Sequence, residues 1–200
     1  MVSRYVDRLT HLSGWLSPDE KVRAQRFLKE GDRRRFILGR AVVRYLCGMH
    51  LGLEPARIRL DRTPAGKPYL VNPIPANGKR FEFNIAHSGD CVLVAWAEGR
   101  AVGIDVEVLG GRSSALLNEV SASALSRVER AVLSAAEPNE AFITFYRIWV
   151  RNEAVLKGEG CGLGGSLQSF SVARRQVARM EWLEEVHFCR KRARVEGGRT

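Results

Sequence analysis

Three carboxylates and one ammonium have the types and local spacings of groups that can hold a metal ion. Asp105 and Glu107 stand two apart in Val102-Gly103-Ile104-Asp105-Val106-Glu107. On a strand both side chains leave one face while Val106 leaves the other. Two carboxylates crowded on one face repel unless a cation lies between them. Oxygen-only donors, with no histidine or cysteine beside them, favour magnesium over zinc. The same pair also suits a solvated hairpin face. Trp149, Glu153 and Lys157 follow at i, i+4 and i+8, which puts them on one stripe of a helix. Taken alone, a Glu–Lys pair at this spacing is an ordinary surface ion pair worth a few tenths of a kcal/mol. His87, at the end of Asn84-Ile85-Ala86-His87-Ser88-Gly89, and Lys67, in Gly66-Lys67-Pro68, have equally plain readings as turn residues.

These groups need elements to hold them. Ser17-Pro18-Asp19-Glu20 opens a helix, with a capping serine, proline in the first turn and acids at the positive end of the dipole. That helix is expected to run to Lys29, where Gly31 and Asp32 break it. A second helix, from about Arg33 to Met49, carries Phe36, Ile37, Val43, Leu46 and Cys47 at helical spacing. Its other face holds Arg33, Arg34, Arg35, Arg40 and Arg44 and reads as solvated. Gly52 to Pro55 and Thr63 to Pro68 are turns. From Phe81 the apolar period becomes two. This predicts a strand ending near Ser88, a second over Cys91 to Ala97 and a third over Ala101 to Val108, the last two joined by Glu98-Gly99-Arg100. Gly110 and Gly111 lead to a helical half with helices over Ser123 to Ala136 and Asn139 to Gly158. A glycine-rich loop from Gly160 to Gly165 and a short strand over Leu167 to Val172 follow.

Two hundred residues, 45% apolar and 27% charged, make one large domain or two small packed ones of soluble type. No apolar run approaches the roughly 20 residues of a membrane helix, and the first residues lack a signal peptide's apolar stretch. The four cysteines (Cys47, Cys91, Cys161, Cys189) form no C-x-x-C pair and read as reduced thiols of a cytoplasmic protein. A formal charge of +10 suits an anionic ligand, an acidic protein or nucleic acid, and composition does not choose among them.

The joint order of the motifs does choose. Ser-Pro-Asp-Glu-Lys (17–21), Leu-Gly-Arg (38–40), Gly-Lys-Pro-Tyr-Leu (66–70) and Phe-Asn-Ile-Ala-His-Ser-Gly (83–89) come first. Val-Gly-Ile-Asp-Val-Glu (102–107), Phe-Tyr-Arg-Ile-Trp-Val-Arg-Asn-Glu-Ala-Val-Leu-Lys-Gly (145–158) and Gly-Cys-Gly-Leu (160–163) follow. From about Ser17 to Val172 this order resembles the Sfp-type 4′-phosphopantetheinyl transferases. The resemblance implies an α/β (α+β) fold of two similar lobes related by a pseudo-twofold axis, each a small antiparallel sheet packed on helices. The lobes are expected at 1–109 and 110–185, with a basic tail at 186–200. Coenzyme A would lie between them, in a monomer. The resemblance assigns magnesium to Asp105, Glu107 and Glu153, and sets Lys157 beside the diphosphate. It places His87 on coenzyme A phosphates, with Asn84 opening that turn, and Arg23 with the Arg62 to Lys67 segment, including Gly66, at the nucleotide end. Arg34 and Arg35 are further phosphate candidates. The implied activity is transfer of the 4′-phosphopantetheine arm of coenzyme A to a serine of an apo acyl or peptidyl carrier protein, with release of 3′,5′-ADP. In that reaction Glu153, Lys157 and His87 would be the catalytic groups, serving fatty acid, polyketide or peptide synthesis.

Two features depart from the pattern. Asn152 stands where the family carries a lysine, and the end reads Val186-His187-Phe188-Cys189 and then a basic run to Thr200 in place of a further apolar strand. They motivate an alternative in which the chain binds coenzyme A or a carrier without efficient turnover. A basic nucleic-acid-binding module is the other alternative, and it leaves the acidic trio without a purpose.

Overall fold

The computed structural model describes residues 1–72, 78–109, 114–160 and 167–173. The Gly110–Gly111 junction, the glycine-rich loop beyond Gly160, Cys161, Cys189, the expected strand at Val186 to Cys189 and the basic end lie outside the described residues.

A 3-10 helix over Val2–Arg8 leads into α1 (Leu9–Ser13) and then α2 (Pro18–Gln25). Helix α2 starts as its sequence predicts. The Ser17 hydroxyl accepts from Glu20 N–H, the Glu20 carboxylate accepts from Ser17 N–H, and Pro18 fills the first position. It ends four residues earlier than expected. Helix α3 (Glu30–Leu51) begins earlier than expected, because Gly31 and Asp32 lie within its first turn, where an acid favours the helix dipole. It stops at Gly52, which adopts a left-handed conformation (φ 66°).

Two antiparallel hairpins follow. Strands β1 (Leu60–Arg62) and β2 (Pro68–Leu70) pair through a turn at Thr63–Lys67, and β3 (Phe81–Ser88) pairs with β4 (Cys91–Glu98). Val43 and Cys47 of α3 pack on Ile58, Phe81 and Phe83 to form one core. A second core joins Val2, Leu9 and Leu38.

The expected third strand is not a strand. Residues 101–108 run beside β3 without a backbone ladder. Side chains of β3 take over instead. Asn84 Oδ1 accepts from Ile104 N–H at 3.3 Å, and Ser88 Oγ accepts from Val108 N–H at 3.1 Å. The alternating pattern thus predicts a strand that does not form, because side chains of β3 and not a backbone ladder bond this segment.

In the second half, α4 (Ser114–Ala124), α5 (Arg127–Ser134) and α6 (Ala141–Glu159) meet around Leu125, Phe145, Tyr146, Ile148, Val155 and Val172. The single helix expected over Ser123 to Ala136 is broken, because Ser126 and Glu129 form a second capping box that starts α5 afresh. The strand expected at Leu167 to Val172 does not form: Leu167–Ser169 is a 3-10 turn, and no strand follows it up to residue 173. Among the described residues strands occur only in the first half, so the class is mixed helix with small antiparallel sheets. No described helix is long and apolar enough to cross a membrane.

Candidate functional site

The site forms where α6 of the second half lies against residues 101–108 and β3 of the first. Gly103 makes this approach possible: a Cβ there would lie 1.8 Å from the Ala154 carbonyl oxygen. The close contact brings Lys157 to Asp105, with Nζ donating to Oδ1 at 2.5 Å. The two residues are 52 apart in sequence, and the Asp105 side chain is 6% exposed. Glu153, one turn back on α6, is buried.

Two oxygens in this cluster have no partner. Asp105 Oδ2 and Glu153 Oε1 are buried and accept no hydrogen bond, a costly arrangement for carboxylates unless a ligand completes it. Burial raises the Glu153 carboxyl above its ordinary value; Lys157 opposes this, while the charges of Asp105 and Glu107 add to it. Glu107 is oriented by Ser88, whose hydroxyl donates to Oε2 at 3.0 Å. Among the described residues no three such side chains are drawn together as a finished metal cage, and the Lys157 ammonium is the cation that Asp105 holds. The donor set is nevertheless all oxygen, with two atoms unpartnered, which fits a hard divalent cation.

His87 stands on β3 next to Ser88. Its side chain is exposed at the turn, yet partial desolvation, the Arg35 charge and, more weakly, Lys157 hold its imidazolium below the ordinary range. The turn that follows is fixed from several sides. Gly89 is left-handed (φ 56°), its carbonyl accepts from Arg35, and Asp90 accepts from both Ser3 N–H (2.9 Å) and Ser3 Oγ (2.6 Å).

A second cationic group gathers on α2, α3 and β1. Arg23 and Arg40 lie over the Phe36 ring, at 5.7 and 5.5 Å from its centroid. Burial lowers Arg40 to about 10; Glu20 opposes this, and the charges of Arg62, Arg23 and Arg44 add to it. Arg62 is also lowered, by burial and then by Arg23. Three guanidiniums that raise one another's energy, with one carboxylate between them, make a place for an anion. Local spacing on α3 gives Arg40 to a solvated face, but it is buried, at 6% exposed, in this group. Arg44, on the same supposed face, is 1% exposed and donates to Glu20 Oε2 at 2.7 Å. Of the further phosphate candidates, Arg34 pairs with Glu30, which Arg33 also holds, and Arg35 pairs with Asp32.

The remaining expected contacts are engaged at the end of α6. Lys67 Nζ donates to the Gly158 carbonyl at 2.7 Å and Asn84 Nδ2 to the Lys157 carbonyl at 3.4 Å. Gly66 (φ 85°) makes the tight turn that presents Lys67. Asn152 is fully buried and points away from the site, donating to Glu129 Oε2 at 3.2 Å. Glu129 is itself fully buried and also accepts from Ser126 and Val172 N–H. The departure at position 152 therefore belongs to the packing between α5 and α6.

A family model described as the N-terminal part of 4′-phosphopantetheinyl transferase matches residues 5–99, and one for the 4′-phosphopantetheinyl transferase superfamily matches residues 101–197. The chain is 33% identical over 166 residues to the 4′-phosphopantetheinyl transferase HetI of Nostoc sp., covering 83% of this chain and 68% of that protein. It is 31% identical over 162 residues to the 4′-phosphopantetheinyl transferase Sfp of Bacillus subtilis, covering 81% and 68%. A phosphopantetheinyl transferase of Thraustochytrium sp. is 32% identical over 169 residues, which is 80% of this chain and 58% of that one. The chain thus spans between 58% and 68% of the length of these relatives.

Proposed function

This chain belongs to the 4′-phosphopantetheinyl transferase superfamily, and from that premise we propose that it moves the 4′-phosphopantetheine arm of coenzyme A to a serine of an apo acyl or peptidyl carrier protein. The observation that carries the reading is the cluster across the two halves: the Asp105–Lys157 pair, with buried and unpartnered oxygens on Asp105 and Glu153. Acids in a cleft for a diphosphate repel it unless a cation intervenes, and a lysine among them supplies charge for the substrate.

Phosphoryl transfer of this kind is mostly positioning and charge neutralisation. The carrier serine oxygen forms a bond to the β-phosphorus of coenzyme A, and the bond from that phosphorus to the bridging oxygen breaks. The leaving group is 3′,5′-ADP. Glu153, with its raised proton affinity and a free buried oxygen, takes the serine proton. Lys157 and His87 donate to the phosphate oxygens where negative charge grows. Asp105, Glu107 and Glu153 would hold magnesium, which supplies charge neutralisation at the diphosphate when bound. Arg23, Arg40 and Arg62 suit the separate 3′-phosphate, and the turn at Gly66 borders that end.

The formal charge of +10 suits an acidic carrier, because complementary fields raise the association rate. Both halves of the cleft lie in one chain, which suits a monomer. Glu153→Gln removes the proton acceptor while keeping the side chain's shape. It should cost at least about a hundredfold in transfer to any carrier, and undiminished transfer in that variant would sink the assignment.

A further inference from the structure

The last turn of α6 is capped from the other half of the chain. A helix ends with carbonyls that have no partner inside it. In α6 the Leu156 carbonyl accepts from Gly160 N–H at 3.0 Å, where Gly160 turns left-handed. The next two carbonyls are taken by distant side chains. Asn84, 73 residues away, donates to Lys157 O, and Lys67, 91 residues away, donates to Gly158 O. The positive Lys67 head also suits the negative end of the helix dipole. Asn84 is 5% exposed and uses its other end on Ile104 N–H, the residue before Asp105. One carboxamide therefore joins the strand bearing His87, the segment bearing Asp105 and the residue whose ammonium pairs with Asp105.

We propose that Asn84 and Lys67 are positioning residues, a helix cap supplied across the cleft that fixes the register of Lys157 and Glu153 against Asp105. They act through α6 rather than on coenzyme A. The helix advances about 1.5 Å per residue, so fraying or slippage of its last turn moves Lys157 off Asp105 by more than a hydrogen bond tolerates. Lys67 places one N–H on a backbone carbonyl, and Asn84 uses its carboxamide oxygen and nitrogen on two backbone groups, so the bonds both residues make in this structure tie α6 to the first half of the chain.

The test uses the full chain in three variants. Lys67→Met keeps the stem without the donor, Asn84→Asp keeps the acceptor for Ile104 without the donor for Lys157, and Lys67→Arg restores a donor. Hydrogen–deuterium exchange across residues 154–160 reads the cap without any substrate. Steady-state transfer, which rests on the proposed function, reads its consequence. Lys67→Met and Asn84→Asp should speed exchange in that stretch at least about fivefold with the rest of the chain unchanged. They should lower kcat about tenfold while the KM for coenzyme A stays within about twofold. Lys67→Arg should recover at least half of both effects. A KM raised about tenfold with unchanged kcat and unchanged exchange would mark the two residues as ligand contacts and overturn the proposal, as would exchange and kcat both equal to wild type. Should Asn84→Asp loosen the whole fold, the Met and Arg pair at position 67 decides alone. A wild type that transfers nothing refutes the proposed reaction, while exchange still decides the cap.

Discussion

Replacing Gly103 with alanine perturbs the site through one methyl group. The added Cβ would lie 1.8 Å from the Ala154 carbonyl oxygen, 2.6 Å from Gly158 N and 2.9 Å from the Ala154 carbonyl carbon. All three atoms are α6 backbone, so no side chain can swing aside. Restoring an ordinary 3.4 Å separation from the nearest atom moves α6 about 1.6 Å from residues 101–108. Overpacking of this kind costs about 1–3 kcal/mol, and a rigid backbone neighbour puts Gly103→Ala at the upper end. The same displacement separates Lys157 and Glu153 from Asp105, and a misplacement of about 1 Å costs about a hundredfold in rate. Urea unfolding gives the first quantity and carrier modification under single-turnover conditions the second. Gly31→Ala is the control. It lies in the first turn of α3, a Cβ there meets only the flexible end of Arg35, and alanine should be neutral or stabilising by about 0.5–1 kcal/mol. If Gly103→Ala kept the wild-type unfolding midpoint and turnover, the close approach of α6 would not be what assembles the site.

Other outcomes follow from the buried charges. Arg44→Met removes the donor to Glu20 Oε2 and to the Ile58 and Pro55 carbonyls and leaves a carboxylate buried, so urea unfolding should show a loss of about 3–5 kcal/mol. His87 is held below its ordinary 6.5, so the unfolded chain binds the proton more tightly than the folded one. Stability therefore falls as pH drops from about 6.5 through the folded value, and it rises again with pH. In His87→Gln, unfolding midpoints plotted against pH should run flatter across that window; a slope as steep as wild type would assign the titration elsewhere.

The parts of this fold that local chemistry controls could be read from the sequence. Ser17, Pro18 and Glu20 sit within four residues and set the start of α2; Ser126 and Glu129 carry the same signature and could have revealed the break before α5. The alternation of Val102, Ile104 and Val106 predicts a strand that does not form, because the segment's partners are the Asn84 and Ser88 side chains, which no ladder pattern encodes. Spacing put Asp105 and Glu107 on one face of an expected strand, and Glu153 and Lys157 on one stripe of a helix that the structure contains as α6. It did not show that the two sets meet. Contacts of Gly103, Asn84 and Lys67 join the two sets, and their partners lie 51 to 91 residues away in the chain. Long-range burial also reversed the reading of α3, where Arg40 and Arg44 turn inward onto Glu20 from a face that local spacing gives to solvent.

The most direct test is the mass of an apo carrier protein after incubation with this chain, coenzyme A and magnesium. The account predicts that the carrier gains one phosphopantetheine on its serine, that 3′,5′-ADP appears in equal amount, and that omitting the metal stops both. A carrier of unchanged mass, in a mixture where the chain demonstrably binds coenzyme A, would contradict it.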